Sequence, residues 1–174
     1  DPSFYHNLGA VYLELGEGEK ALNLFEKVIT LNPNHADAYY NLGNSYKILS
    51  NLPKARDSYE KSIKINPNIP KVYNNLGNVL KDLGKLSEAI QTYKTAIKIQ
   101  PNHAYAYRNL GNAYKEIGDF KKAEEAYTNS FIYQPTNLET LDTLCTLNKS
   151  KLDQNLLKKI KNIMKNENLS QKDY

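Results

Sequence analysis

Four asparagines recur along the chain at a fixed spacing of 34 residues: Asn7, Asn41, Asn75 and Asn109. Three residues after each comes Ala10, Asn44, Asn78 or Asn112. A carboxamide carries both donor and acceptor, so a ladder of them can pair with a peptide backbone whatever its side chains. Asparagine is a mediocre helix former, and propensity does not explain its recurrence. The spacing is compatible with such a role. Packed helices lie about 8–10 Å apart, and an extended peptide advances about 3.3–3.6 Å per residue. One rung would meet roughly every third residue of a bound strand.

Other reactive residue types form no constellation. His6, His35 and His103 are scattered and do not have metal-ligand spacing. Cys145 has no evident base and is expected to pack in a C-terminal core. The stretch GEGEK (16–20) lacks the spacing of a phosphate-binding loop and follows a helix rather than a strand. The sequons at Asn148 and Asn168 are formal matches only. No nucleophile, base and orienting group share a face, so no catalysis, metal or cofactor is expected of this stretch.

The elements that must position the amides follow from the same period. Four units of equal length, 2–35, 36–69, 70–103 and 104–137, align without insertion or deletion. Their fourth residues are Tyr5, Tyr39, Tyr73 and Tyr107, their seventh Leu8, Leu42, Leu76 and Leu110, and their eighth Gly9, Gly43, Gly77 and Gly111. The eleventh are Tyr12, Tyr46, Leu80 and Tyr114. Those offsets form one stripe of a first helix. Gly16, Ser50, Gly84 and Gly118 stand where that helix should close. A second helix carries Ala21, Ala55, Ala89 and Ala123, then Phe25, Tyr59, Tyr93 and Tyr127. It ends before Pro33, Pro67, Pro101 and Pro135, because proline disfavours helix in the residue preceding it. The small residues Gly43 and Ala55 let the two helices approach.

Composition bounds the rest. The 174 residues are 40% apolar and 24% charged, with 14 Tyr, no Trp and a single Cys. This fits a soluble globular chain. One cysteine fits a reducing compartment, and a cytoplasmic location is expected. The net charge of +4 comes from dispersed lysines and does not argue for nucleic acid. No apolar run is long enough for a membrane span. The chain starts at Asp1 without Met and stops at NLSQKDY, where Ser170 and Asp173 read as another helix start, so an excised piece of a longer protein is expected.

The 34-residue pattern resembles the tetratricopeptide repeat over residues 2–137, with tyrosine where that family usually has tryptophan. The resemblance implies an all-α, right-handed solenoid whose first helices line a concave groove. It also implies a protein-interaction scaffold that binds a peptide or partner protein there. The asparagines at 7, 41, 75 and 109 match the inner ladder of superhelical arrays such as that of the O-linked N-acetylglucosamine transferase. Chaperone-tail adaptors of the family use a cationic clamp. Neither register here supplies its cations: one gives Tyr40, Asn44, Asn75, Tyr105 and Asn109, the other His6, Ala10, Asn41, Lys71 and Asn75.

Specificity is expected from the variable second and fifth positions, above all Tyr40, Lys71, Tyr105 and Arg108, of which Tyr40, Tyr105 and Arg108 are residue types suited to a hot spot. Lys47, Lys81 and Lys115 would make the groove mildly basic and suit an acidic or backbone-exposing peptide. An alternative reading makes the stretch the substrate-recruiting arm of a larger glycosyltransferase or sulfotransferase, since NNLGNVLKDLGKLSEAI resembles bacterial arrays joined to such domains. Self-association through exposed repeat ends is a third. Residues 138–174 depart from the pattern and are expected to form capping helices, the second bearing Leu156, Leu157, Ile160, Ile163 and Met164 on one side.

Overall fold

The computed structural model describes residues 1–147 together with Lys158 and Asn162. Among the described residues there are nine helices and no strand. They are α1 (Pro2–Glu14), α2 (Gly18–Leu31), α3 (Ala36–Ile48), α4 (Leu52–Ile65), α5 (Pro70–Asp82), α6 (Leu86–Ile99), α7 (Ala104–Glu116), α8 (Phe120–Tyr133) and α9 (Leu138–Leu147). The chain divides into two compact units, Asp1–Gln100 and Pro101–Tyr174. The proposed second capping helix, with Leu156 to Met164, lies outside the described residues, as do both sequons and the Ser170 helix start.

Each repeat is a helical hairpin with the same local chemistry. The first helix closes at its fifteenth position, where Gly16, Gly84 and Gly118 take φ of 74°, 76° and 80° and Ser50 takes 58°. The next amide then reaches back five residues: Glu17 N–H donates to Tyr12 at 2.9 Å, Asn51 to Tyr46 at 2.8 Å, Lys85 to Leu80 at 2.8 Å and Asp119 to Tyr114 at 2.9 Å. This satisfies carbonyls that the helix end would otherwise leave open. Second helices start on side-chain caps where the sequence provides them. Asn51 Oδ1 accepts from Lys54 N–H at 3.3 Å, and Asp119 Oδ1 from Lys122 N–H at 3.2 Å.

The hairpin core is a ring laid against a glycine. A Cβ on Gly43 would stand 2.5 Å from Tyr59 Cε1, and one on Gly9 would stand 2.8 Å from Phe25 Cζ. Only glycine leaves room for the ring at that height. Where the first and second repeats meet, Ala21, Phe25 and Leu42 form the buried centre, with Tyr12, Leu13, Leu22, Ile29, Tyr39 and Tyr46 packed around it. Lysines lie over the outer tyrosine faces, Lys20 over Tyr12, Lys54 over Tyr46 and Lys122 over Tyr114, at 5.2–5.5 Å.

Third and tenth positions are fully buried in the second to fourth repeats (Ala38, Ser45, Val72, Val79, Ala106 and Ala113). Within the first unit α2 packs on α3 and α4 on α5. Their counterparts in α1, Phe4 and Val11, are 63% and 50% exposed.

In the second unit α9 packs on α8 and buries Thr140 and Leu144, its third and seventh positions. Cys145 corrects the sequence expectation, because it is exposed rather than packed in a core. It occupies the eighth position, the side that a second-helix ring covers in the four repeats, and the α8 contact does not reach it.

Candidate functional site

The ninth-position asparagines are held from behind. Tyr59 O–H donates to Asn44 Oδ1 at 2.7 Å, Tyr93 to Asn78 at 2.8 Å and Tyr127 to Asn112 at 2.6 Å. The geometry follows from the hairpin. The eighth-position glycine lets the ring lie flat against the first helix, and its hydroxyl then reaches one residue further on. Tyr59, Tyr93 and Tyr127 are buried, so each hydroxyl needs an acceptor. Burial raises the Tyr59 pKa well above the usual phenol range and pushes that of Tyr127 up to about 12. Repeat one omits both partners at once, with Phe25 in place of tyrosine and Ala10 in place of asparagine. That paired absence was the sequence signal for the bond, and a reading along single helix stripes passes over it.

The sixth position is not uniform. Asn75 Nδ2 donates to Asn44 Oδ1 at 3.1 Å and to Tyr40 Oη at 3.3 Å, and its own Oδ1 accepts from Asn74 Nδ2 at 3.4 Å. Asn75 therefore joins the second and third repeats. Asn44 Oδ1 receives two donors, from Tyr59 and Asn75. Asn41 stands one repeat earlier, where the equivalent neighbours are His6 and Ala10. Its side chain is half-buried, and it makes no hydrogen bond among the described residues. Asn7 is exposed on α1; Asn109 is half-buried on α7 and is not without a partner.

The candidate specificity residues meet partners within the chain. Lys71 Nζ lies 3.4 Å from Asp37 and 4.6 Å from the centroid of Tyr40. Arg108 bonds Glu139 of α9 at 2.7 Å and lies 5.5 Å from the Tyr105 ring. In these two cases the fifth position, Tyr40 or Arg108, meets the second position of the following element, Lys71 or Glu139. His6, the fifth position of the first repeat, instead stacks on His35 in the inter-repeat turn at 5.1 Å, and burial followed by the His35 charge lowers its pKa. His6 Nδ1 is buried without a hydrogen bond. Lys81 pairs with Asp82 at 3.2 Å, whereas Lys47 and Lys115 are exposed and form no ion pair among the described residues.

Between α1 and α3 lies an open depression of about 320 Å³, lined by Leu13, Glu14, Asn44, Lys47 and Ile48. Sequence reasoning named Asn44 and Lys47 but not Leu13 or Ile48 as part of a site. No group of three or more His, Cys, Asp or Glu side chains able to hold a metal occurs among the described residues. No helix among them is long and apolar enough to cross a membrane.

Family profiles described as TPR repeat match residues 9–49 and 77–118, and those described as tetratricopeptide repeat match 36–69, 58–91 and 104–137. The chain belongs to the tetratricopeptide repeat family. Solved tetratricopeptide-type structures agree on the fold, an all-α helical-repeat solenoid. A MamA crystal structure superposes with a TM-score of 0.77 at 23% identity, covering 95% of this chain and 91% of that one. MamA from residue 41 to its end, from Desulfovibrio magneticus RS-1, gives 0.77 at 22% identity and covers 98% and 97%. PilF of Pseudomonas aeruginosa gives 0.82 at 20% identity over 95% of this chain and 75% of that one. No curated protein sequence matches the chain. Tetratricopeptide repeats serve generally as protein-interaction scaffolds, and that general class is the one this chain joins.

Proposed function

We propose that the protein is a non-catalytic scaffold that binds an extended peptide along the sixth- and ninth-position face of its first helices. One observation carries this reading. At Asn44, Asn78 and Asn112 the amide oxygen is fixed by a tyrosine hydroxyl. The bond decides which end of each carboxamide is which, and it leaves the NH2 group as the outward donor. A donor held in place by the core loses little freedom on binding, which favours recognition of peptide carbonyls. Lys47 and Lys115 add positive charge to the same helices and favour an acidic partner.

The test exploits the asymmetry of the amide. Replacing Asn44, Asn78 and Asn112 by aspartate keeps an acceptor for each tyrosine and removes each outward donor. A partner recovered with the intact chain and identified by mass spectrometry is then titrated against both proteins by calorimetry. A folded triple variant should bind at least about tenfold more weakly, a difference of about 1.4 kcal/mol. Equal affinity would overturn the donor ladder.

A further inference from the structure

The first rung differs from the others in three ways that converge on one place. Ala10 stands where later repeats have asparagine, Leu13 stands where they have lysine, and the Asn41 amide is left without the acceptor that Asn44 offers Asn75. Asn41 and Asn44 are three residues apart on α3, so they lie on one helix face about one turn from each other. The depression with Leu13 and Ile48 in its wall opens beside Asn44, and Glu14 and Lys47 also line it.

We infer that this first rung is a specificity subsite for an extended peptide carrying one aliphatic side chain. The half-buried Asn41 carboxamide has both donor and acceptor available, which is the complement of a peptide group and of little else. Ile48, which is exposed, and the outer side of Leu13, which also packs on the core beneath, give an aliphatic side chain apolar surface to cover that glycine would leave unused. Ala10 keeps the chain's own oxygen out of the place a ligand carbonyl takes. In the third repeat that place is filled internally, because Asn75 already spends its amide on Asn44 and Tyr40. Selectivity is thus concentrated between α1 and α3, and the later rungs supply sequence-independent donors.

The inference rests on the peptide-binding reading above, and its test separates the two. The probe is a capped pentapeptide with a central leucine between glycines, set against capped pentaglycine. Each is titrated into the uniformly 15N- and methyl-labelled full chain. The leucine peptide should shift the Asn41 side-chain amide and the Leu13 and Ile48 methyls saturably, with affinity about tenfold above pentaglycine. Ala10→Asn restores the later rungs' acceptor and should weaken the leucine peptide about tenfold. In that variant the peptide-free Asn41 amide moves on its own, which reports the new internal bond and an intact fold. Equal binding of both peptides, with shifts at Asn44, Asn78 and Asn112 only, would overturn the subsite and leave the donor ladder standing. An Ala10→Asn variant that folds and binds the leucine peptide as before would also overturn it. If neither peptide binds at about 10 mM, both readings fall.

Discussion

The first repeat and the three that follow share a backbone but solve the same packing problem differently. In the second to fourth, a buried tyrosine closes the hairpin and its hydroxyl is satisfied by the ninth-position asparagine. In the first, Phe25 closes it and Ala10 needs to accept nothing. Both solutions bury the ring completely. The first repeat also exposes Phe4 and Val11 and leaves Asn41 unpaired, whereas the third ties Asn75 to its neighbour. The ladder is therefore two things. Where tyrosine is present, asparagine is demanded by the core; where it is absent, the facing amide is released to the surface.

Several changes would break or sharpen that contrast. The largest effect is expected from Asn44→Ala, which strands the Tyr59 hydroxyl and removes the Asn75 acceptor together. Unfolding in urea should show a loss of about 2–3 kcal/mol, since a buried hydroxyl without a partner costs about 1–3 kcal/mol. Repeat one already pairs Ala10 with Phe25, so Phe25→Tyr is the converse experiment. Alone it should destabilise by about 1–2 kcal/mol, and Ala10→Asn should recover about 1 kcal/mol of that in a double-mutant cycle. Strict additivity of the two changes would show that the hydroxyl bond is not the link.

Titration provides a smaller, graded contrast. The folded pKa values of Tyr59 and Tyr127 are raised by burial, so the unfolded chain ionises first above its usual value of 10.0. Stability contributed by these groups is fully present below that value and is lost as pH rises through it toward about 12. Tyrosinate absorbance should then develop for the buried residues only together with loss of helicity. At the acid end His6 is held below its usual 6.5, so the unfolded chain takes up the proton first and stability falls as pH drops through that value. His6→Phe should flatten the acid limb of a melting-temperature profile. The smallest effect is expected at Ser50, the one fifteenth-position residue other than glycine in the four repeats, with φ of 58°. Ser50→Gly should raise stability by about 0.5–1 kcal/mol in thermal melts, because a left-handed conformation suits glycine better.

Most of the fold was legible because its signals are local. The stripe of Tyr39, Leu42, Gly43 and Tyr46 marks one helix, Ser50 its stop, and Pro67 the end of the next. The helices run where these residues place them, and the closing residues take positive φ. The candidate site was only half legible. Its residues could be named from their period, but what they touch depends on a helix 15 residues away and on the next repeat. Lys71 and Arg108 can be named from their positions, but their pairing with Asp37 and Glu139 is set by neighbouring elements that no single helix stripe reveals. Cys145 was misplaced because a cap helix packed on one side buries only one stripe.

The 15-residue separation of each asparagine–tyrosine pair has a kinetic consequence. Such a bond closes a short loop, and short loops close fast and at modest entropic cost. Each hairpin can check its own register before any neighbour docks: an insertion in the turn would put the hydroxyl out of reach of the amide. Folding can therefore start in the second, third or fourth repeat and spread by nearest-neighbour docking, as expected of a quasi-one-dimensional chain with low contact order. The first repeat lacks this proofreading bond. It should be the last to acquire protection from hydrogen exchange and the first to lose it.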